Sequence, residues 1–395
     1  MHTVYKIVAE GNVTHLLPHR RFRCATMTPR IALVHERFTE VAGSEKVVEQ
    51  LSKQWPQARV HVPIVRACGI PSGLRTTPET ALLNRLYRCC GERSYAPLMP
   101  LMPSYFRRID FGDAEVVIIS HHAFATQAAF ATSASTIAYV HSPARWAWNA
   151  SLRRGEAGGR VGAAALTMLA SSARRAEIAA APRLSRLVAN STMVKQRIEQ
   201  CWNREAAVVH PPVDTEAFTP DLDIVRKDFF LLAGRLVPYK RPDVAILAAN
   251  AAKTRLVVAG GGRSLDYCRS IAGPTVTFLG RVTHTQLLSL HRRTRALLMP
   301  GVEDFGIVPV EAMACGTPVI ALGSGGVLDS VVPGVTGQFV RGASDRELVA
   351  EFASAMLGFD GSNYDESVIR AHAEQFSHQA FRRKMQAVVD EVSGT

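Results

Sequence analysis

The chain has 395 residues, 47% of them hydrophobic and 20% charged, which suits two ordinary globular domains and excludes disordered, collagen-like and repeat architectures. Its 46 lysines and arginines against 34 acidic residues leave a formal charge of +12, a field that fits a phosphorylated substrate, an anionic lipid surface or nucleic acid without choosing among them. Seven scattered cysteines, none in a C-x-x-C pair, make no zinc ribbon and read as reduced thiols of a cytosolic protein.

Residues 1–29 show no periodicity and are expected to form a loose arm, with Met27 a candidate initiator. No apolar run of signal-peptide length occurs there, and the longest apolar stretch, residues 161–170, is far short of the ~20 residues that span a bilayer. The protein is therefore read as soluble or peripheral. Residues 31–34 form the first expected strand, with His35 just beyond it. A turn ending at Gly43 and Ser44 leads into a helix that carries Val47, Val48 and Leu51 on one face. Residues 116–120 and 136–140 are short, β-branched and bounded by turns, as buried parallel strands are. Ahead of these strands, residues 81–108 interleave leucines, methionines and aromatics with Arg85, Arg88, Arg93, Arg107 and Arg108. Two readings stay open for that segment: a basic apolar surface dipping into an anionic membrane, or an apolar underside packed on the domain with solvated arginines. Nucleic acid is not expected, because no recognition motif accompanies the arginines.

Pro211 and Pro212 break any helix and mark a hinge. Strands are expected after it at 229–233, 255–259, 276–279, 296–299 and 318–321, with helical intervals including 242–252. Alternating β and α units in both halves predict two parallel doubly wound sheets, an α/β architecture whose ligands gather in the cleft at the strands' carboxyl ends.

The most informative stretch is 303–318. A loop carrying Glu303 and Gly306 precedes a helix expected to start near Val308 or Pro309, with Glu311 in its first turn. Free amides over 305–308 at the positive end of a helix suit a phosphate or a sugar edge, and the two flanking carboxylates suit sugar and ribose hydroxyls. The same two glutamates read equally well as a helix charge and a solvated loop residue. Arg235 and Lys240 follow a strand in G-R-L-V-P-Y-K-R and are placed to stabilise a departing diphosphate, or else to form a solvated basic loop. The glycines at 260–262 and 323–326 do not complete G-x-G-x-x-G, so no dinucleotide cofactor is expected. Asp221 and Asp223 sit in a polar linker and are not expected to hold a metal.

Taken together, V-A-G-S-E-K-V-V-E (41–49), Y-V-H-S-P-A-R-W-A-W-N (139–149), V-A-N-S (188–191), P-P-V-D-T-E-A-F (211–218), G-R-L-V-P-Y-K-R-P-D (234–243), F-L-G-R-V (278–282) and E-D-F-G-I-V-P-V-E-A-M-A-C-G-T-P-V-I-A (303–321) resemble retaining family 4 glycosyltransferases. The similarity is nearest to bacterial mannosyltransferases of O-antigen and exopolysaccharide synthesis, and covers roughly residues 30–385. It implies a GT-B fold: an acceptor-binding Rossmann-like domain over 30–210 and a nucleotide-sugar-binding one over 211–378. A last helix, about 379–395, is expected to return to the first domain.

The resemblance further implies that Glu303 contacts donor-sugar hydroxyls and Glu311 the nucleotide ribose. Arg235 and Lys240 would hold the diphosphate. The amides of Phe305, Gly306, Ile307 and Val308 would line sugar and phosphates, and Gly280, Arg281 and Val282 would lie near the base. Gly43 would admit the donor phosphate, and His141 would face the reacting sugar. No cofactor or metal is implied. The implied donor is a nucleotide sugar, GDP-mannose, and the implied acceptor a lipid-linked saccharide at the cytoplasmic face of the membrane. A glucosyltransferase or sugar-nucleotide epimerase on the same fold, or a non-catalytic nucleotide-sugar-binding protein, are the alternatives.

Overall fold

The computed structural model describes residues 29–394 apart from 154–158 and 222, so the expected arm at 1–29, save Pro29, lies outside the described residues. Twelve strands among the described residues form two six-stranded sheets, and every pairing is parallel. The first comprises β1 (Ile31–His35), β2 (Arg59–His61), β3 (Val116–His121), β4 (Ser135–Val140), β5 (Arg186–Ala189) and β6 (Ala207–Val208), in the order β2-β1-β3-β4-β5-β6. The second comprises β7 (Phe230–Ala233), β8 (Leu256–Ala259), β9 (Val276–Gly280), β10 (Leu297–Met299), β11 (Val319–Leu322) and β12 (Gly337–Val340), in the order β12-β11-β10-β7-β8-β9.

Helices cover both faces. In the first half they are α1 (Gly43–Gln54), α2 (Leu82–Cys89), α3 (Met102–Phe106), α4 (Arg145–Trp148), α5 (Gly159–Ala180) and α6 (Thr192–Trp202). The second half has α7 (Pro242–Ala252), α8 (Leu265–Ser270), α9 (His284–Arg293), α10 (Ile307–Ala314), α11 (Val327–Ser330), α12 (Asp345–Leu357), α13 (Glu366–Ala373) and α14 (His378–Ser393). No helix among the described residues is long and apolar enough to cross a membrane.

The central strands are β-branched because both of their faces are covered. Val116, Val117, Ile118 and Ile119 are all buried, alternating between a core under α3 and α5 and a core under α1. Phe381, Met385 and Val389 of α14 join the α1 core with Val47, Leu51 and Tyr139, so the last helix packs on the first sheet. The chain thus crosses between halves twice, near Val213 and near Ser377. The two crossings are tied by the Val213 amide donating to the Phe376 carbonyl at 2.9 Å.

Strand order locates the ligand site. In the second sheet the chain winds outward from β7 through β8 to β9, then returns to β10 on the other side of β7. The loops leaving β7 and β10 therefore diverge over a crevice, as do those leaving β1 and β3 in the first sheet. One expected boundary is corrected here. Helix α10 begins at Ile307, because Gly306 with φ of 92° turns the chain into it one residue early, and Glu311 falls in the second turn instead of the first.

Candidate active site

The β7 loop runs through Gly234 and Arg235 into a single 3₁₀ turn, Pro238–Lys240, which aims Lys240 back over the strand end. The β10 loop brings Glu303 to it: Lys240 Nζ lies 2.5 Å from Glu303 Oε1, with both side chains 18% exposed. Arg235, Lys240, Glu303 and Val308 line one small hollow over the ends of β7 and β10, floored by Ala233 and Met299. Arg235 is more open than its partners: its guanidinium donates to Tyr239 Oη at 3.3 Å and lies 3.7 Å from Glu40 of the first domain. Gly306 caps α10, and the amides of Ile307 and Val308 are first-turn donors without helical acceptors.

Glu311 is buried one turn further along, and its nearest cation, 3.6 Å away, is Lys46 of α1. Burial pushes its carboxyl up from the usual range, and Lys46 works in the opposite direction. Gly43, the first residue of α1, meets the same helix. A Cβ added there would stand 2.7 Å from Ile307 Cδ1, so α1 and α10 face each other tip to tip across the cleft. Gly43→Val is expected to push the end of the Ile307 side chain aside at the α10 tip and lower kcat/KM for the donor by roughly 5–10-fold, the cost of local overpacking. Steady-state kinetics on a protein with unchanged circular dichroism check it.

The side chain of Phe305 is structural, stacking on His210 at 5.3 Å inside the second core, so only its backbone is available to a ligand. Gly280 ends the edge strand β9 and Arg281 and Val282 follow it, two strands from β7 and outside the Lys240–Glu303 hollow. Val282 packs on the core and Arg281 is exposed. His141 follows β4 and is 9% exposed, its Nε2 2.8 Å from Ser120 Oγ and its ring stacked on His122 at 4.4 Å. Burial pushes its imidazole down to about 3, so it is neutral. Asp221 pairs with Arg292 at 3.2 Å.

Several residues that the sequence reading passed over build this site. Asp304 joins the two halves: Arg197 and Arg145 both pair with its carboxylate, Arg145 at 3.4 Å, while Ser191 Oγ donates to its carbonyl. Arg145 also lies over the Tyr239 ring at 5.0 Å, touching both donor-side loops. Glu36, 1% exposed, accepts the amides of Ala123, Phe124 and Ala125 and fixes the loop after β3. Glu177, also 1% exposed, accepts from His121 Nε2 at 2.9 Å, the Ala144 amide at 2.8 Å, Trp148 Nε1 at 2.5 Å and Trp202 Nε1 at 3.3 Å. The glycines at 260–262 and 323–326 brace the site loops: a Cβ on Gly260 would stand 1.9 Å from the Gly234 carbonyl oxygen, and one on Gly326 2.1 Å from that of Asp304.

Residues 41–217 match the family described as Glycosyltransferase Family 4, and residues 214–365 match the family described as Glycosyl transferases group 1. The chain belongs to glycosyltransferase family 4. Its fold is GT-B, shared at a TM-score of 0.68 and 17% identity with Anabaena HepE in complex with UDP and glucose, over 92% of this chain and 100% of that one. The lipopolysaccharide outer core galactosyltransferase WaaB has the same fold, with a TM-score of 0.61 at 16% identity over 92% of this chain and 99% of that one. Among curated relatives, the D-inositol 3-phosphate glycosyltransferase of Mycolicibacterium smegmatis is 34% identical over 40% of this chain and 42% of that protein. That of Mycobacterium tuberculosis is 38% identical over 34% and 32%. The match therefore spans less than half the length of these relatives.

Within this family 4 chain, residues 81–108 pack on the domain along one side only. Leu83, Tyr87, Met102 and Phe106 are buried, whereas Leu82, Leu86 and Leu101 are exposed and line a groove of ≈ 490 Å³ that also takes in Tyr105 and Arg108.

Proposed function

We propose that this protein is a retaining hexosyltransferase that moves mannose from GDP-mannose to a lipid-linked saccharide during surface polysaccharide synthesis, at the inner face of the cytoplasmic membrane. The observation that carries the reading is the Lys240–Glu303 pair facing the amino terminus of α10 at the sheet's switch point. In this reading Lys240, Arg235 and the Ile307 and Val308 amides take up the charge of the departing nucleoside diphosphate, a role that requires no metal. Glu303 and Glu311 accept hydrogen bonds from sugar and ribose hydroxyls. The leaving phosphate oxygen takes the acceptor's proton on the same face of the sugar, so no carboxylate nucleophile is used.

GDP and mannose rest on the motif similarity, chiefly H-S-P-A-R-W-A-W and G-R-L-V-P-Y-K-R. The UDP and glucose in HepE favour a UDP-hexose as the second donor to test. Membrane contact is supported by exposed Leu82, Leu86 and Leu101 beside exposed Arg85, Arg88 and Arg108.

The test is a panel of labelled GDP- and UDP-sugars incubated with and without membrane lipid extract, the products being read by mass spectrometry. Transfer only in the presence of acceptor, lost in Glu303→Ala, is expected. Turnover of donor alone to an epimer, or nucleotide binding without any transfer, contradicts it.

A further inference from the structure

Four side chains from four different segments form one hydrogen-bonded row beneath the cleft. The register of the first sheet sets His35 at the end of β1 opposite Ser120 of β3, and His141 follows the neighbouring strand β4. Glu45, in the first turn of α1, lies 3.4 Å from His35 Nε2 through Oε1. His35 Nδ1 is 3.0 Å from Ser120 Oγ, and Ser120 Oγ is 2.8 Å from His141 Nε2. All four residues are at least nine-tenths buried. His141 Nδ1 makes no hydrogen bond within the described residues and is not among the buried polar atoms lacking a partner, which leaves it for the cleft.

The row has a direction because one end cannot donate. Burial opposes ionisation of Glu45, yet hydrogen bonds from His35, the Ala42 amide and the Ser44 hydroxyl favour its carboxylate form. An ionised carboxylate only accepts, so His35 presents Nε2–H to it. In neutral His35 the other nitrogen is then a bare acceptor, Ser120 gives it the hydroxyl proton, and Ser120 in turn accepts from His141 Nε2–H. The opposite direction, with Ser120 donating to His141, requires His35 to carry two ring protons.

We propose that Glu45, His35 and Ser120 are positioning residues that lock His141 as its Nε2–H tautomer, so that Nδ1 meets the cleft as a hydrogen-bond acceptor. The ligand this suits is a hydroxyl-bearing one, and the inference rests on the transfer reading for identifying that hydroxyl as the donor sugar's. His122, stacked on the ring, holds its plane, and the buried row holds its proton. His141 thus acts as an aligned acceptor and does not shuttle protons. Because Glu45 lies in the same turn as Gly43, the lock also joins the α1 tip to the end of β4.

The test is nitrogen-15 NMR of histidine-labelled protein at pH 8, with the His141 signals assigned by their loss in His141→Gln. A proton on His141 Nε2 and none on Nδ1 is expected in the wild type, with mixed tautomers in Ser120→Ala and Glu45→Gln. A proton on Nδ1 in the wild type overturns the proposal, as does an unaltered Nε2–H state in both variants. In transfer assays Ser120→Ala is expected to lose roughly tenfold in kcat/KM, the worth of one aligned hydrogen bond. The wild-type spectrum decides the tautomer even if no sugar is transferred, so failure of the transfer reading is recognised separately.

Discussion

Lys240→Ala is expected to lower the rate of sugar transfer by roughly 10²–10³-fold, the usual loss when one preorganised donor to developing negative charge is removed. The side chain is 18% exposed and held 2.5 Å from Glu303, so it sits in place before any ligand arrives. Its charge costs no reorganisation when the glycosidic bond breaks. Removing it also leaves Glu303 without its cation beside an incoming diphosphate, so donor affinity falls as well as kcat. Arg235→Ala is expected to do less, because that guanidinium is 62% exposed and screened by water. Stopped-flow or quench-flow measurement of single-turnover transfer separates the chemical step from binding. An unchanged single-turnover rate in Lys240→Ala would remove the electrostatic role assigned to it.

Glu177→Ala is expected to be the most destabilising single substitution around the site, by on the order of 4 kcal/mol. The carboxylate is the common acceptor for donors from β3, the loop after β4, α4 and α6, and three of them, on His121, Ala144 and Trp202, belong to buried residues. Glu177→Gln keeps the shape but turns an N–H₂ toward two of the donors, so an intermediate loss is expected. Urea unfolding followed by tryptophan fluorescence measures both, since Trp148 and Trp202 report directly on the pocket. A midpoint shift no larger than that of an exposed control such as Glu199→Ala would show that the four donors find other partners. The same experiment bears on function, because Glu177 holds the backbone just after His141 and the helix that presents Arg145 to Asp304.

What the sequence made legible follows from what is local. Runs such as 116–120 announce buried parallel strands because β-branched residues with no polar alternation have no other stable setting. The glycine at 306 and the proline at 309 announce a helix start for equally local reasons, though not that Gly306 would begin it one residue early. Lys240 and Glu303 stand out because each follows a strand, and strand order then brings them together. Glu177 gave no such sign. It lies within a helix beside Arg174 and Arg175, where an acidic residue reads as a solvated partner, and its four donors are separated from it by 25 to 56 positions. His35 and Ser120 were likewise silent, since only the register of β1 against β3 shows that they meet. Asp304 was hidden by its neighbours: the motif drew attention to Glu303 and Phe305, whereas its two arginine partners come from the other domain.

The central claim is that the tip of α10, Lys240 and Glu303 grip a nucleotide sugar together. A crystal structure with an intact, slowly transferred nucleotide-sugar analogue tests it most directly. The account predicts the pyrophosphate against the amides of Ile307 and Val308 with Lys240 in contact, and the hexose against Glu303. A nucleotide seated anywhere else, with the Lys240–Glu303 pair left as it stands, contradicts it.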